Sequence, residues 1–456
     1  MKSPAYAGLF SWPDFEMQQA DTIIDARWVI PVRPAHQALN YHSVVISAGN
    51  IAAILPTPEA HAQFSANSTV TLGEHALIPG LINLHTHAAM NLMRGLADDL
   101  PLMEWLQQHI WPAENRHVST QFVHDGTLLA CAEMLRGGIT CFNDMYFFPD
   151  AAANAALQSG MRATIGLIAL DFPTPYASDA DTYLYKGLAI RDQFSPEPLL
   201  SFSLAPHAPY TVSDKTLSKV LTYAEQLDLP IHIHLHETDA EIQQSLKQHH
   251  LRPLQRLENL GLLAPNLIAV HAVHLKPGEM ETLARQGCHI AHCPTSNLKL
   301  ASGIAPVSAM MEQGINVGLG SDGAASNNRL DMFQEMRMAA LLAKGVSGKA
   351  DCLSAFEALQ MATLNGARAL GLEHRTGSLE PGKAADIAAI RLDSLETMPC
   401  YDVISHLVYT AGREHVTHVW VNGAPVVENS NLRTLSQQHL SAQAALWQER
   451  IGKKHD

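Results

Sequence analysis

Histidine supplies the first candidates for chemistry. The 456-residue chain holds 25 of them. Neutral imidazole is the commonest metal ligand, and it titrates nearest neutral pH. His-x-His occurs as His85/His87, His232/His234 and His234/His236, where about 1.4 such pairs are expected by chance at this composition. One pair alone is therefore weak evidence. On a strand, residues i and i+2 point to one face, so His85 and His87 can chelate one ion together. His232, His234 and His236 also share a face, but crowding argues against all three reaching the same ion. Glu237 follows directly. The residue four after His236 is Ala240, so the His-Glu-x-x-His pattern of zinc proteases fails.

These residues need elements to position them. Short apolar runs recur at 76–84, 139–144, 163–170, 199–205, 230–236, 267–274, 289–292 and 315–320, with amphipathic helical patterns between most of them. The segments 121–135 and 215–227 are such helices, the second with Ser213 as N-cap. Eight strands alternating with helices predict a (β/α)8 TIM-like barrel over 76–372. A doubly wound open sheet is second, and because no Gly-x-Gly-x-x-Gly follows a strand, dinucleotide binding has no support. Residues 1–75 and 373–456 read as short strands and turns, with no helix of any length in the first stretch. Gly49-Asn50 and Asn422-Gly423 are hairpin-type turn signals. The two ends together predict a small β-sandwich domain built from both termini.

In such a barrel, chemistry sits at the C-terminal ends of the strands. His85 and His87 end the first strand and His207 the fourth. His232, His234, His236 and Glu237 end the fifth. His271 and His274 end the sixth, His292 the seventh, and Asp322 the eighth. His292 reads as a core residue, and His274 as structural support rather than a ligand. Trp105 and Trp111 could stack on a planar ring or pack the core, and Met90, Met93 and Met103 could line an apolar pocket or fill gaps.

Composition narrows the functional class. The net charge is −14, which argues against the basic footprint that nucleic-acid binding needs. The six cysteines form no Cys-x-x-Cys and read as free thiols in a reducing compartment. The first ten residues lack a signal-peptide apolar region, and no apolar run approaches a membrane span. A cytoplasmic protein without membrane attachment is expected.

Four motifs, in order, carry a family resemblance: Pro79-Gly80-Leu81-Ile82-Asn83-Leu84-His85-Thr86-His87, His232 to Glu237 followed by Thr238, Ser321-Asp322-Gly323-Ala324-Ala325-Ser326-Asn327, and Pro381-Gly382-Lys383-Ala384-Ala385-Asp386. Together they resemble the amidohydrolase superfamily. Within it the chain is most similar to the methylthioadenosine/S-adenosylhomocysteine deaminase group, near chlorotriazine hydrolases and guanine deaminase. The resemblance implies His85, His87, His234 and Asp322 as metal ligands. It implies Glu237 as acid/base, His271 as a second acid/base or electrostatic group, and Asp322 as a proton acceptor. Glu114, Arg162, His207 and Glu237 would contact substrate.

The fourth strand contains no lysine that could bridge two metals, so one Zn2+ per chain is expected; Fe2+, Mn2+ or Ni2+ would suit the same ligands. The implied reaction is hydrolytic deamination of the adenine C6 amine of a small purine nucleoside, in a homo-oligomer. Adenosine, guanine or cytosine deaminases and triazine hydrolases share the implied metal site, and a non-catalytic scaffold is a remote alternative.

Overall fold

A computed structural model describes residues 17–453. The expectation about the first ten residues falls outside that range. Among the described residues, sixteen strands, numbered in chain order, build two eight-stranded sheets. β1 (Gln18–Val29), β2 (Leu39–Ser47), β3 (Asn50–Pro56) and β4 (Phe64–Pro79) come first. The barrel follows: β5 (Leu81–Thr86), β6 (Ile139–Tyr146), β7 (Arg162–Ala169), β8 (Leu200–Pro206), β9 (Ile231–Leu235), β10 (Leu267–His271), β11 (His289–His292) and β12 (Asn316–Leu319). β13 (Ile387–Arg391), β14 (Val416–Val421), β15 (Ala424–Glu428) and β16 (Asn431–Leu432) end the series.

β5 to β12 lie in sequential, parallel order, as eight strand–helix repeats require. They are buried almost throughout, the pattern of a parallel sheet covered on both faces. Thr120–Arg136 and Asp214–Leu227 cover two of the expected helices, and Ser213 accepts from the Thr216 amide. The ring closes where β12 meets β5. There the Asp322 amide donates to the His85 carbonyl at 3.0 Å. Gly320 makes this approach possible, because a Cβ there would lie 2.8 Å from the His85 Cβ and 2.9 Å from its backbone nitrogen.

The second sheet runs β16-β15-β14-β13-β4-β1-β2-β3. Ile24, Val44 and Leu77 from the first segment share an apolar cluster with Ile387 and Trp420 from the last. Gly49, and Asn422 with Gly423, adopt the left-handed conformations that tight hairpins demand.

Three expectations need correction. The apolar run from residue 76 is not one barrel strand. It ends β4 at Pro79 and begins β5 at Leu81, with the Gly80 amide donating to Asp386 across the junction. A short helix, Thr57–Gln63, sits between β3 and β4, opened by Pro58 at its first turn. The C-terminal segment also ends in a long helix, Gln437–Gly452, whose Trp447 indole donates to Asp125 and packs edge-on against Phe122.

Arg162 needs correction as well. It starts β7, at the barrel end opposite the chemistry, and is 1 % exposed. Its guanidinium donates through Nε to Asp386 Oδ2 at 2.8 Å and through a terminal nitrogen to Oδ1 at 3.2 Å. Asp386 also accepts the Asn422 amide. Arg162 therefore ties the barrel floor to the second sheet and does not face substrate. Removing one member of a buried pair strands the other charge, typically at a cost of about 3–5 kcal/mol. Asp386→Ala is expected to lower unfolding free energy by about that amount in urea titrations, with KM unchanged for the folded fraction. A raised KM with stability intact would return Arg162 to the substrate.

Candidate active site

The barrel's C-terminal mouth gathers the expected side chains. His85 Nε2 lies 3.3 Å from His234 Nε2 and 3.2 Å from Asp322 Oδ1. His87 Nε2 lies 3.4 Å from the same Asp322 oxygen. His271 joins His85 and His234 in a second set of donors, all within 4.8 Å of one another.

The outer nitrogens show which form these rings take. His87 Nδ1 lies 2.6 Å from the Met145 carbonyl, and His234 Nδ1 lies 2.7 Å from the His207 carbonyl. A carbonyl only accepts, so both Nδ1 atoms carry the proton and both Nε2 atoms present lone pairs. Burial favours the neutral ring, lowering His85 to about 4 and His234 well below its ordinary value. For Asp322, burial works to raise the pKa, but the His85 hydrogen bond and the nearby histidine charges outweigh it and hold the carboxyl well down. His87 and His234 thus turn lone pairs toward the Asp322 carboxylate, with His85 Nε2 within reach of both His234 and Asp322. Such a donor set fits a divalent cation, and three His with one Asp is a ligand set that suits zinc.

Outer contacts fix each of these side chains. His85 shares a 3.0 Å hydrogen bond with His232. Asp322 Oδ2 accepts from Ser296 and Ser326 at 2.6 and 2.7 Å, and Oδ1 accepts the Gly323 amide at 2.8 Å. His271 Nδ1 lies 2.8 Å from Asn297 Oδ1. His236, His271, Ala272 and Asp322 all have φ between 49° and 72°. Left-handed conformations of non-glycine residues are costly and concentrate at functional turns.

Glu237 follows β9, 6 % exposed, with Oε2 3.7 Å from His271 Nε2. Burial raises its pKa, His271 opposes that, and Asp322 adds to it. Ser302 donates to its Oε1 at 3.4 Å, and the Ser302 carbonyl lies 2.7 Å from His274 Nε2. His274 therefore acts through Ser302. His236 turns away, its Nε2 accepting the Leu254 amide. His292 is buried and does not line the cavity.

A cavity of about 410 Å³ opens above these groups. His207 lines it, with Nδ1 3.0 Å from Thr211 Oγ1. The Thr211 hydroxyl also donates to the Ala208 carbonyl at 3.1 Å, so His207 Nδ1 is the donor and Nε2 remains an acceptor. Glu114, from helix Trp111–His117, accepts from the Tyr146 hydroxyl at 2.7 Å. Burial pushes Glu114 up to about 7, partly offset by that bond. Trp105, Trp111 and Met90 line the cavity; Met93 and Met103 do not.

Several site residues went unread in the sequence. Glu241 accepts the amides of His236 and Glu237 at 3.1 and 2.9 Å, clamping the turn that aims Glu237. Its signal was available: Thr238-x-x-Glu241 has capping-box spacing, and Thr238 does cap the helix from Asp239. Asn297, Ser296 and Tyr146 carried no comparable spacing signal, and Ser326 stood inside the Asp322 motif without a role of its own. Glu335 accepts from the Thr295 amide at 3.1 Å and from Asn327 at 2.8 Å, bracing the loops around Asp322.

Comparisons with known proteins agree with this architecture. A profile described as the amidohydrolase family matches residues 76–426. The 5-methylthioadenosine/S-adenosylhomocysteine deaminase of Saccharophagus degradans is 49 % identical over 432 residues, covering 95 % of this chain and 97 % of that protein. The 5′-deoxyadenosine deaminase of Methanosarcina mazei is 40 % identical, covering 93 % of this chain and 97 % of that one. The crystal structure of an adenosine deaminase from Xanthomonas campestris with bound zinc superposes with a TM-score of 0.95 at 48 % identity, covering 96 % of this chain and all of that one.

Burial raises Glu335 to about 7 from an ordinary 4.5. A carboxyl with a raised folded pKa stabilises the fold below its unfolded pKa, and that contribution is lost as pH rises through the folded value. Glu335→Gln cannot ionise. Between pH 4.5 and 7 its stability, measured by denaturant unfolding, is expected to improve steadily relative to the parent. Parallel pH profiles for the two proteins would contradict a raised Glu335.

Proposed function

The chain belongs to the amidohydrolase family, and from that premise we propose that it hydrolytically removes the adenine C6 amine of 5′-methylthioadenosine and/or S-adenosylhomocysteine, giving the inosyl product and ammonia. The relatives named above support a deaminase acting on adenosine-type nucleosides. One observation carries the reading. A cation-fitting donor cluster and a buried carboxyl with a raised pKa face the same cavity, with Glu114 and Tyr146 on its wall.

We assign His85, His87, His234 and Asp322 to one Zn2+ per chain. When bound, that ion lowers the pKa of water toward 7 and so makes a nucleophile available at neutral pH. The chain's own residues supply the rest. Glu237, whose pKa burial raises, would donate a proton to purine N1 as C6 becomes tetrahedral; a non-ligand glutamate plays this part in zinc deaminases of other folds. Asp322 accepts the proton lost by the attacking water, and His271 Nε2 steadies the oxygen that becomes the C6 carbonyl. The exocyclic nitrogen takes up the proton held by Asp322 and leaves as ammonia, while the C6 hydroxyl proton returns to Glu237 as the carbonyl forms. Glu114 and the His207 Nε2 acceptor hold the ribose hydroxyls, which favours a nucleoside over a free base.

Glu237→Gln tests the assignment. It is expected to keep about one metal ion per chain and to lose at least about a hundredfold in kcat, the usual scale for a general acid. Unchanged turnover would remove Glu237 from that role. An ammonia-release screen over methylthioadenosine, S-adenosylhomocysteine, adenosine, guanine and cytosine tests the substrate class. Best turnover on guanine or cytosine would contradict it.

A further inference from the structure

The cavity wall has a chemical character of its own. Among the described residues that line it, none is lysine or arginine. Its carboxylates are Glu114, Glu237 and Asp322. Away from the donor cluster the lining turns apolar, with Leu102, Trp105, Leu106 and Ile110 from one segment and Phe172 and Pro173 from the loop after β7. Two lysines from segments that flank the lining are engaged elsewhere. Lys186 donates to the Tyr176 carbonyl at 2.6 Å and sits over the Tyr176 ring, and Lys299 pairs with Asp98 at 2.6 Å.

We propose that this wall selects nucleosides whose 5′ substituent is uncharged and apolar, so that the chain acts on 5′-methylthioadenosine and discriminates against the zwitterionic homocysteine of S-adenosylhomocysteine. The inference rests on the deaminase reading above and narrows it. With the purine C6 at the donor cluster and the ribose at Glu114, the 5′ carbon points along the apolar wall. A thioether there gains contact with aromatic rings and aliphatic side chains. A homocysteine chain brings an ammonium and a carboxylate. Laid along the wall, both must shed water, and no fixed cation replaces it around the carboxylate. Swung out to solvent, they leave the wall uncovered and forfeit its burial. Either way the amino-acid substituent is penalised.

The test is kcat/KM for the metal-loaded full chain on three nucleosides: 5′-methylthioadenosine, S-adenosylhomocysteine and 5′-n-butylthioadenosine. The last has a comparable chain length and no charge. The two uncharged thioethers are expected within about tenfold of each other, and both at least about a hundredfold above S-adenosylhomocysteine, the scale set by burying unpaired charge. S-Adenosylhomocysteine within about tenfold of methylthioadenosine would overturn the inference and leave deamination intact. A butylthio compound as poor as S-adenosylhomocysteine would also overturn it, since length and not charge would then be selected. No ammonia from any of the three, or from adenosine, would overturn the deaminase reading and this inference with it.

Discussion

Nε2 of His85, His87 and His234 and the carboxylate of Asp322 crowd together at 3.2 to 3.4 Å in the barrel mouth. With lone pairs on His87 and His234 and a charge on Asp322, the cluster is rich in acceptors that a cation would neutralise. Burial closes the usual escape, because protonating the rings there is unfavourable. The surrounding structure holds the arrangement from outside. The Met145 and His207 carbonyls and the His232 ring grip the far nitrogens, while Ser296 and Ser326 grip the far carboxylate oxygen. Such outer partners fix tautomer and orientation, and their loss commonly costs metal affinity.

The barrel exists at this point as a device for convergence. The proposed ligands come from β5 and the residue just after it, β9 and the turn after β12, segments far apart in sequence whose side chains meet across the mouth of the closed ring. Closure and ligand placement are one event, since the hydrogen bond that joins the last strand to the first runs between Asp322 and His85 themselves. The cost appears as left-handed backbone at His236, His271 and Asp322, held by Glu241, Asn297 and the Asp322 cradle. Pre-set geometry of this kind is what electrostatic catalysis requires.

The strand-end logic was legible because barrel strands are short apolar runs and their polar terminators stand out. All eight runs overlap barrel strands. The failures have physical causes. At Pro79–Gly80 both sheets want apolar residues, so hydrophobicity cannot show where the chain changes sheet. Arg162 sits at a strand start, facing the barrel floor, yet a buried arginine reads the same in sequence whether it meets a substrate or Asp386. His232, Asn297 and Glu241 act through other residues, and their partners are fixed only by tertiary contact. The C-terminal helix packs mainly through Trp447, a contact with Phe122 and Asp125 that lies more than 300 residues away.

The central claim is that these four side chains hold a single ion. Anomalous diffraction at the zinc edge from crystals of the zinc-loaded protein tests it most directly. One peak per chain is expected, about 2.0–2.2 Å from Nε2 of His85, His87 and His234 and from a carboxylate oxygen of Asp322. Two peaks at the barrel mouth, or a peak ligated by other residues, would contradict the account.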